Sequence, residues 1–287
     1  MHETVDVDGL TRRLRDVGYL ADRGLAQALA LSAALERALL LEGDAGVGKT
    51  EAARALALVY GADLIRLQCY EGLDLYSAAY DWNYGKQLLA IRTAEASHER
   101  APDLYGEDFL IRRPLLAALG GTRPRSVVFL IDEIDRADDE FEAYLLEFLQ
   151  EFAITIPELG RVAAAHRPIV VLTSNRTRDL HDALKRRCFY HWIGHPSVER
   201  EIEIIHARLP QVGEALARDV ARAIARLRER ELRKSPGTSE ALDWAEAAAA
   251  LGAERLDRQT FGATLGVVLK YPEDLAVAAV AAGDLIA

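Results

Sequence analysis

No stretch of the 287-residue sequence approaches the ~20 consecutive apolar residues that a membrane helix needs, so a membrane span is not expected. Cysteine is scarce, with Cys69 and Cys188 far apart in the chain. A disulfide framework or a zinc site needs more cysteines in closer pairs, so both are expected to be free, buried thiols. Positive charge is in deficit, and the formal net charge is −10. Gripping nucleic acid rests on Lys and Arg neutralising phosphates. A protein devoted to that task is therefore disfavoured, although a local basic face is compatible with the total. The segment Met1–Gly9 carries acids and lacks the basic-then-apolar order of an export signal, which makes the cytoplasm the expected compartment. Repeats and low-complexity linkers are absent too.

What remains is the balance of an ordinary soluble protein, 50% apolar and 28% charged. The length suits a larger core plus a smaller domain. Arg12 to Leu41 is dense in Ala and Leu and reads as one or two helices. Ala38 to Glu42 is a short apolar run ending at Gly43, and reads as a buried strand. Thr50 to Tyr60 is a good helix former closed by Gly61. Leu64–Cys69, Val127–Ile131, Ile169–Thr173 and Phe189–Ile193 read as further strands; VVFLI in particular suits a parallel sheet covered on both faces. Arg113–Leu119 is helical, and Asp138–Phe152 carries Phe141, Tyr144, Leu145, Phe148 and Leu149 at helical spacing. Ile154–Val162, with Pro157 and Gly160, resembles a hairpin. Strands alternating with helices imply a doubly wound α/β sheet. Tyr70–Ala90 is aromatic-rich and weakly periodic, and is expected to be an insertion outside the core. Beyond Pro196 everything reads as helix, broken at Pro236-Gly237 and Pro272. The expected division is an α/β core over residues 1–195 and a helical domain over 196–287.

Gly43-Asp44-Ala45-Gly46-Val47-Gly48-Lys49-Thr50 fits G-x-x-x-x-G-K-[ST] in full, between an apolar strand and a helix. Glycines let such a loop wrap its N–H groups around phosphates. Lys49 is expected to reach the β- and γ-phosphates of ATP and the Thr50 hydroxyl to take a place on Mg2+. Glu51 completes the nucleotide-binding set. Downstream, the apolar strand 127–131 ends in Asp132-Glu133. Two adjacent carboxylates at a buried strand end need a reason, because burying unpaired charge is costly. Metal and water supply one: Asp132 for the Mg2+ shell, Glu133 to orient and polarise the attacking water.

Asn175 ends a later apolar strand, and ligands of parallel sheets bind outside the carboxyl ends of strands. It is either a turn residue or a hydrogen-bond partner of the lytic water. Lys185-Arg186-Arg187 precedes the last strand. These cations either complement a helix end or include an arginine, Arg187 before Arg186, that stabilises a phosphoryl group bound by a neighbouring subunit. His191 and His195, four apart, are either a metal pair or polar strand-end residues. Tyr76, Tyr80, Trp82 and Tyr84 are either exposed anchors for a partner or a local core. The Asp138-Asp139-Glu140 run suits a helix N-terminus.

Taken in order, GDAGVGKT, VVFLIDEIDRAD, LTSN and ALKRRC resemble the AAA+ superfamily, as Walker A, Walker B, sensor 1 and arginine finger. IDEIDRADDEFEAYLLEFLQEFAITIPELG, TSNRTRDLHDALKRRC and KSPGTSEALDW are similar to the MoxR family. The likeness is to the branch accompanying carbon-monoxide-dehydrogenase-type molybdenum hydroxylases, and it runs from about Tyr19 onward. The resemblance implies a P-loop AAA+ core with a doubly wound, parallel five-stranded sheet and a C-terminal all-helical lid. It assigns Lys49 and Thr50 to Walker A, Asp132 and Glu133 to Walker B, Asn175 to sensor 1 and Arg187 to the finger. It makes 70–90 a helix-2 insert and 154–166 the hairpin before sensor 1, and lets Tyr19 and Leu20 flank the adenine. It also implies a homo-oligomeric, usually hexameric ring, a von Willebrand factor A domain partner and a metalloenzyme client. One departure stands out: the lid helix that usually opens with the sensor 2 arginine begins here with Gly237-Thr238-Ser239-Glu240. Arg233 or Lys234 would have to substitute.

The expected function is hydrolysis of Mg-ATP in a ring to remodel or activate a client protein. A nucleotide-gated scaffold with little turnover is the alternative that the missing sensor 2 arginine leaves open. A DNA-directed motor or loader is disfavoured by the charge and by the lack of a DNA-binding module.

Overall fold

A computed structural model describes residues 5–98 and 103–286, so residues 1–4 of the acidic N-terminal stretch lie outside the described residues. The chain divides into two compact units. One, the sheet unit, takes Met1–Arg13, Asp22–Glu42 and Ala53–His191. The other, the helical unit, takes Leu14–Ala21, Gly43–Ala52 and Trp192–Ala287.

Along the chain, α1 (Val7–Asp16) and α2 (Arg23–Leu35) precede β1 (Leu39–Glu42), and α3 (Lys49–Tyr60) leads to β2 (Asp63–Gln68). Then come α4 (Leu75–Ala79), β3 (Tyr80–Trp82), α5 (Tyr84–Ser97), β4 (Leu110–Arg112) and α6 (Pro114–Ala118). After these follow β5 (Val127–Asp132), α7 (Asp139–Glu151), β6 (Ala153–Ile156), β7 (Gly160–Ala163), β8 (Ile169–Ser174), α8 (Asp182–Lys185) and β9 (Phe189–Trp192). The main sheet is five-stranded and parallel, ordered β2-β5-β8-β1-β9. β1 registers Glu42 against Ser174 of β8, and β5 lies between β2 and β8. Every residue of β1, β5 and β8 is buried, which explains why these strands read as unbroken apolar runs. The chain leaves β1 for the far edge and returns through β5 and β8, so the order reverses between β8 and β1. In such a sheet the crevice for a ligand opens at that reversal. The carboxyl ends there carry Glu42, Asp132 and Ser174.

The aromatic segment 70–90 is not outside the core as expected. In β3 the side chains alternate: Tyr80 and Trp82 are buried in the cluster that also holds Phe129 and Ile131, while Asp81 faces away. β3 pairs antiparallel with β4, and Trp82 packs edge-on against Tyr105 at 5.3 Å. Tyr76 and Tyr84 remain exposed. The period-2 pattern spans three residues, too short to stand out in the sequence. β6 and β7 form an antiparallel hairpin. Asp138 caps α7 by accepting from Phe141 N–H at 3.0 Å, with Asp139 and Glu140 in the first turn.

The helical unit contains α9 (Val198–Arg208), α10 (Glu214–Arg228), α11 (Thr238–Ala250), α12 (Arg258–Val268), α13 (Pro272–Val280) and α14 (Ala282–Leu285). On α10 the buried residues Leu216, Ala217, Val220, Ala221, Ala223, Ile224 and Leu227 form one stripe, the face an amphipathic helix turns to a core. Trp244 is fully buried there, with its indole N–H donating to Thr264 Oγ1 at 2.7 Å. Pro236-Gly237 ends the loop before α11, and Pro272 takes the first turn of α13, where its missing N–H is harmless. Among the described residues, no helix is long and apolar enough to cross a membrane.

Candidate active site

In the helical unit, residues 43–48 form a glycine-hinged loop that runs into α3 at Lys49. Gly46 and Gly48 adopt φ of 80° and 96°, which residues with a Cβ rarely reach. Lys49 is buried, and its ammonium donates to Gly43 O and Asp44 O at 2.7 Å each, so it lies along the loop. Thr50 and Glu51 follow in the first turn of α3, and Glu51 pairs with Arg208 at 2.6 Å. Tyr19 donates its hydroxyl to Gly48 O at 3.3 Å. His195 Nε2 stands 3.1 Å from Asp44 Oδ2. The arrangement is a loop whose backbone geometry only glycine sustains, with a lysine folded over its start.

In the sheet unit, β5 delivers Asp132 and Glu133 to its carboxyl end. The Asp132 side chain is 3% exposed and fully partnered: Arg66 Nη2 lies 2.6 Å from Oδ2, and Thr173 Oγ1 donates to Oδ1 at 2.6 Å. Glu133 sits at the start of a 3-10 turn (Ile134–Arg136) with φ 55° and ψ 51°. That left-handed backbone is unusual for a residue with a side chain. Its N–H donates to Thr173 Oγ1 at 2.9 Å, so one threonine on β8 ties both acids. Its carboxylate accepts from Gln68 Nε2 at 3.0 Å, from Arg136 at 3.2 Å and from Asn175 Nδ2 at 3.5 Å. Asn175 N–H in turn donates to Asp135 Oδ1 at 3.2 Å, and Thr177 binds the other oxygen of the same carboxylate. The structure thus brings Asp132, Glu133 and Asn175 together. Cys69 lies beneath them, its thiol pushed up to about 12 by burial first and by Asp132, Asp135 and Glu133 after that.

The family model for the AAA domain (dynein-related subfamily) matches residues 38–188, over half of the chain. The chain belongs to this family. RuvB from Thermotoga maritima, described as a Holliday junction branch migration motor, is similar at 17% identity and TM-score 0.51, covering 86% of this chain and 69% of that one. One single-substitution variant of it gives 18% and 0.53 over 87% and 70%. Another gives 18% and 0.52 over 95% and 73%. At these identities the likeness concerns the fold. Comparison with curated proteins yields no match.

Within this AAA domain Arg187 is bonded inside its own chain: Nη1 donates to Ala183 O and Nη2 to Gln150 Oε1, both at 3.0 Å. Arg186 is exposed. Arg37, which the sequence did not single out, donates to Arg186 O at 2.6 Å and to Arg187 O at 3.3 Å, so it fixes the backbone that carries both. The substitutes considered for sensor 2 each have a partner within the helical unit. Arg233 stacks its guanidinium 4.3 Å over Tyr271, and Lys234 lies 3.5 Å from Glu240. His191 sits near Gly24 in the sheet unit, and no group of His, Cys, Asp and Glu able to hold a metal occurs among the described residues. Sequence reasoning missed Arg66, Gln68, Thr173 and Arg136 around the acids of this AAA domain. Arg136 is a local pair three residues from Glu133, whereas Arg66, Gln68 and Thr173 come from two other strands and only the sheet register brings them there.

Proposed function

We propose that this AAA+ protein is an ATPase, hydrolysing Mg-ATP in a homo-oligomeric, hexameric ring to remodel or activate a client protein. The observation that carries the reading is the preorganised Glu133 carboxylate, fixed by Gln68, Arg136 and Asn175 beside a buried Asp132. A carboxylate so held can accept a proton from water and orient it for in-line attack, and Asn175 supplies the second hydrogen bond. The loop Gly43–Thr50, with Glu51, binds the nucleotide, and Lys49 faces its phosphates. Thr50 and Asp132 offer a hydroxyl and a carboxylate, oxygen donors that suit Mg2+, which favours one or two protein ligands plus phosphate oxygens over an all-protein cage. When bound, Mg2+ supplies charge neutralisation on the phosphates. Arg187 acts on a nucleotide held by the neighbouring subunit.

The MoxR likeness supports metal-cofactor enzyme maturation as the setting, with a von Willebrand factor A domain partner and a metalloenzyme client in the cytoplasm. Residues 1–195 act as the nucleotide-binding core, with the helix-2 insert at 70–90 and the pre-sensor-1 hairpin at 154–166, and residues 196–287 as the lid. Net charge −10 supports a protein rather than a nucleic-acid client. A nucleotide-gated scaffold is favoured by one observation only, the acid at the start of α11.

Steady-state hydrolysis against protein concentration, with particle size measured in parallel, tests the proposal. Turnover should rise cooperatively in wild type and collapse in Glu133→Gln and Arg187→Ala while ATP still binds. Undiminished turnover in Glu133→Gln removes the water-activating role. Negligible turnover in all three, with an ATP-dependent ring still forming, selects the scaffold.

A further inference from the structure

The start of α11 lies directly on the phosphate loop, within the helical unit. Ser239 donates its N–H and its hydroxyl to Gly46 O at 3.1 and 3.3 Å. Gly237 approaches so closely that a Cβ there would stand 2.7 Å from Ala45 O and 2.8 Å from Gly46 C. Glu240 folds back over the same place. One carboxylate oxygen accepts from Gly237 N–H at 3.0 Å and lies 2.7 Å from where a Cβ on Gly46 would be. Lys234 approaches the other oxygen at 3.5 Å; the Glu240 side chain is 17% exposed and that of Lys234 49%.

The backbone N–H bond favours this placement of the carboxylate, and partial burial limits screening of its charge by solvent. Any anion cradled by the loop meets that charge, and the penalty grows with the anion's own charge. Lys234, more exposed, offsets part of it. We propose that Glu240 is a specificity-determining residue that lowers the loop's affinity for nucleoside triphosphate relative to nucleoside diphosphate. The inference rests on the loop being the nucleotide-binding element. The capping role of Glu240 is a competing explanation for its presence, and glutamine separates the two: it accepts the same hydrogen bond without the charge.

The test is calorimetric binding of Mg-ADP and of a non-hydrolysable Mg-ATP analogue to the full chain, as wild type, Glu240→Gln and Lys234→Met. Thermal melts accompany each, at low and high salt. Glu240→Gln should raise triphosphate affinity several-fold more than diphosphate affinity, and Lys234→Met should move the ratio the other way. Both shifts should shrink in high salt. A Glu240→Gln protein that melts like wild type with an unchanged ratio overturns the proposal, as does a shift indifferent to salt. If wild type binds neither nucleotide, the nucleotide-binding reading of the loop falls as well. An unshifted ratio with normal binding removes only the role of Glu240.

Discussion

Gly237→Ala is a sharp test of the contact between α11 and the phosphate loop. Gly237 has φ −87°, which alanine adopts freely, so backbone strain plays no part. The obstacle is space: the new Cβ would meet Ala45 O, Gly46 C and Gly46 Cα at 2.7, 2.8 and 2.9 Å, all backbone atoms with no rotamer to change. Ordinary carbon contacts lie at about 3.5 Å or more, so helix start and loop must part by roughly 0.7 Å. Overpacking of that kind costs about 1–3 kcal/mol. The same movement stretches the Ser239–Gly46 hydrogen bond, now 3.1 Å, beyond useful length and removes about 1 kcal/mol more. Gly266→Ala is the control in the same unit. It lies inside α12 with nothing within 4 Å of its would-be Cβ, and helix propensity predicts a gain of about 1 kcal/mol. Thermal melts with and without Mg-ATP should show Gly237→Ala melting several degrees below wild type, with a smaller nucleotide-induced rise. Gly266→Ala should melt higher. A Gly237→Ala protein that melts at or above wild type with its nucleotide response intact would refute the argument.

Other outcomes follow from buried charge and thiols. Arg228 pairs with the fully buried Glu201 at 2.6 Å, so Arg228→Ala strands a carboxylate and should cost about 3–5 kcal/mol in urea unfolding, more than the Arg228→Met, Glu201→Leu double variant. Burial, and then Arg228, depress the pKa of His195, against the pull of Asp44. Below about 6.5 the unfolded chain therefore takes up a proton that the folded one refuses, and stability falls as pH drops. His195→Gln should flatten that part of the melting profile, and an unchanged slope would contradict it. Burial raises both Cys69 and Cys188 to about 12, so a thiol reagent at mild alkaline pH should label neither in the native protein and both after denaturation.

The central strands were legible in the sequence because burial on both faces leaves an uninterrupted apolar run, as in Val127–Ile131. The phosphate loop and the acid pair were legible because each is contiguous. Asn175 could be proposed for the site from its position at a strand end. The support of the acids was not legible: Thr173, Arg66 and Gln68 converge on Asp132 and Glu133 only through the β2-β5-β8 register, which no local pattern encodes. The docking of Gly237 on Gly46 spans nearly two hundred residues and involves two residues without side chains, so hydrophobic periodicity had nothing to register. The burial of Tyr80 and Trp82 beside the exposed Tyr76 and Tyr84 depends on a three-residue strand.

The left-handed backbone at Glu133 bears on how this sequence can be improved or can drift. Holding a side chain in that conformation costs about 1–2 kcal/mol relative to glycine. The N–H bond to Thr173 Oγ1 needs no side chain and survives its loss. Selection for folding alone, in a laboratory screen for heat resistance or in a lineage released from its task, should therefore drift toward Glu133→Gly. The hardier protein so obtained would lack the carboxylate proposed to activate water.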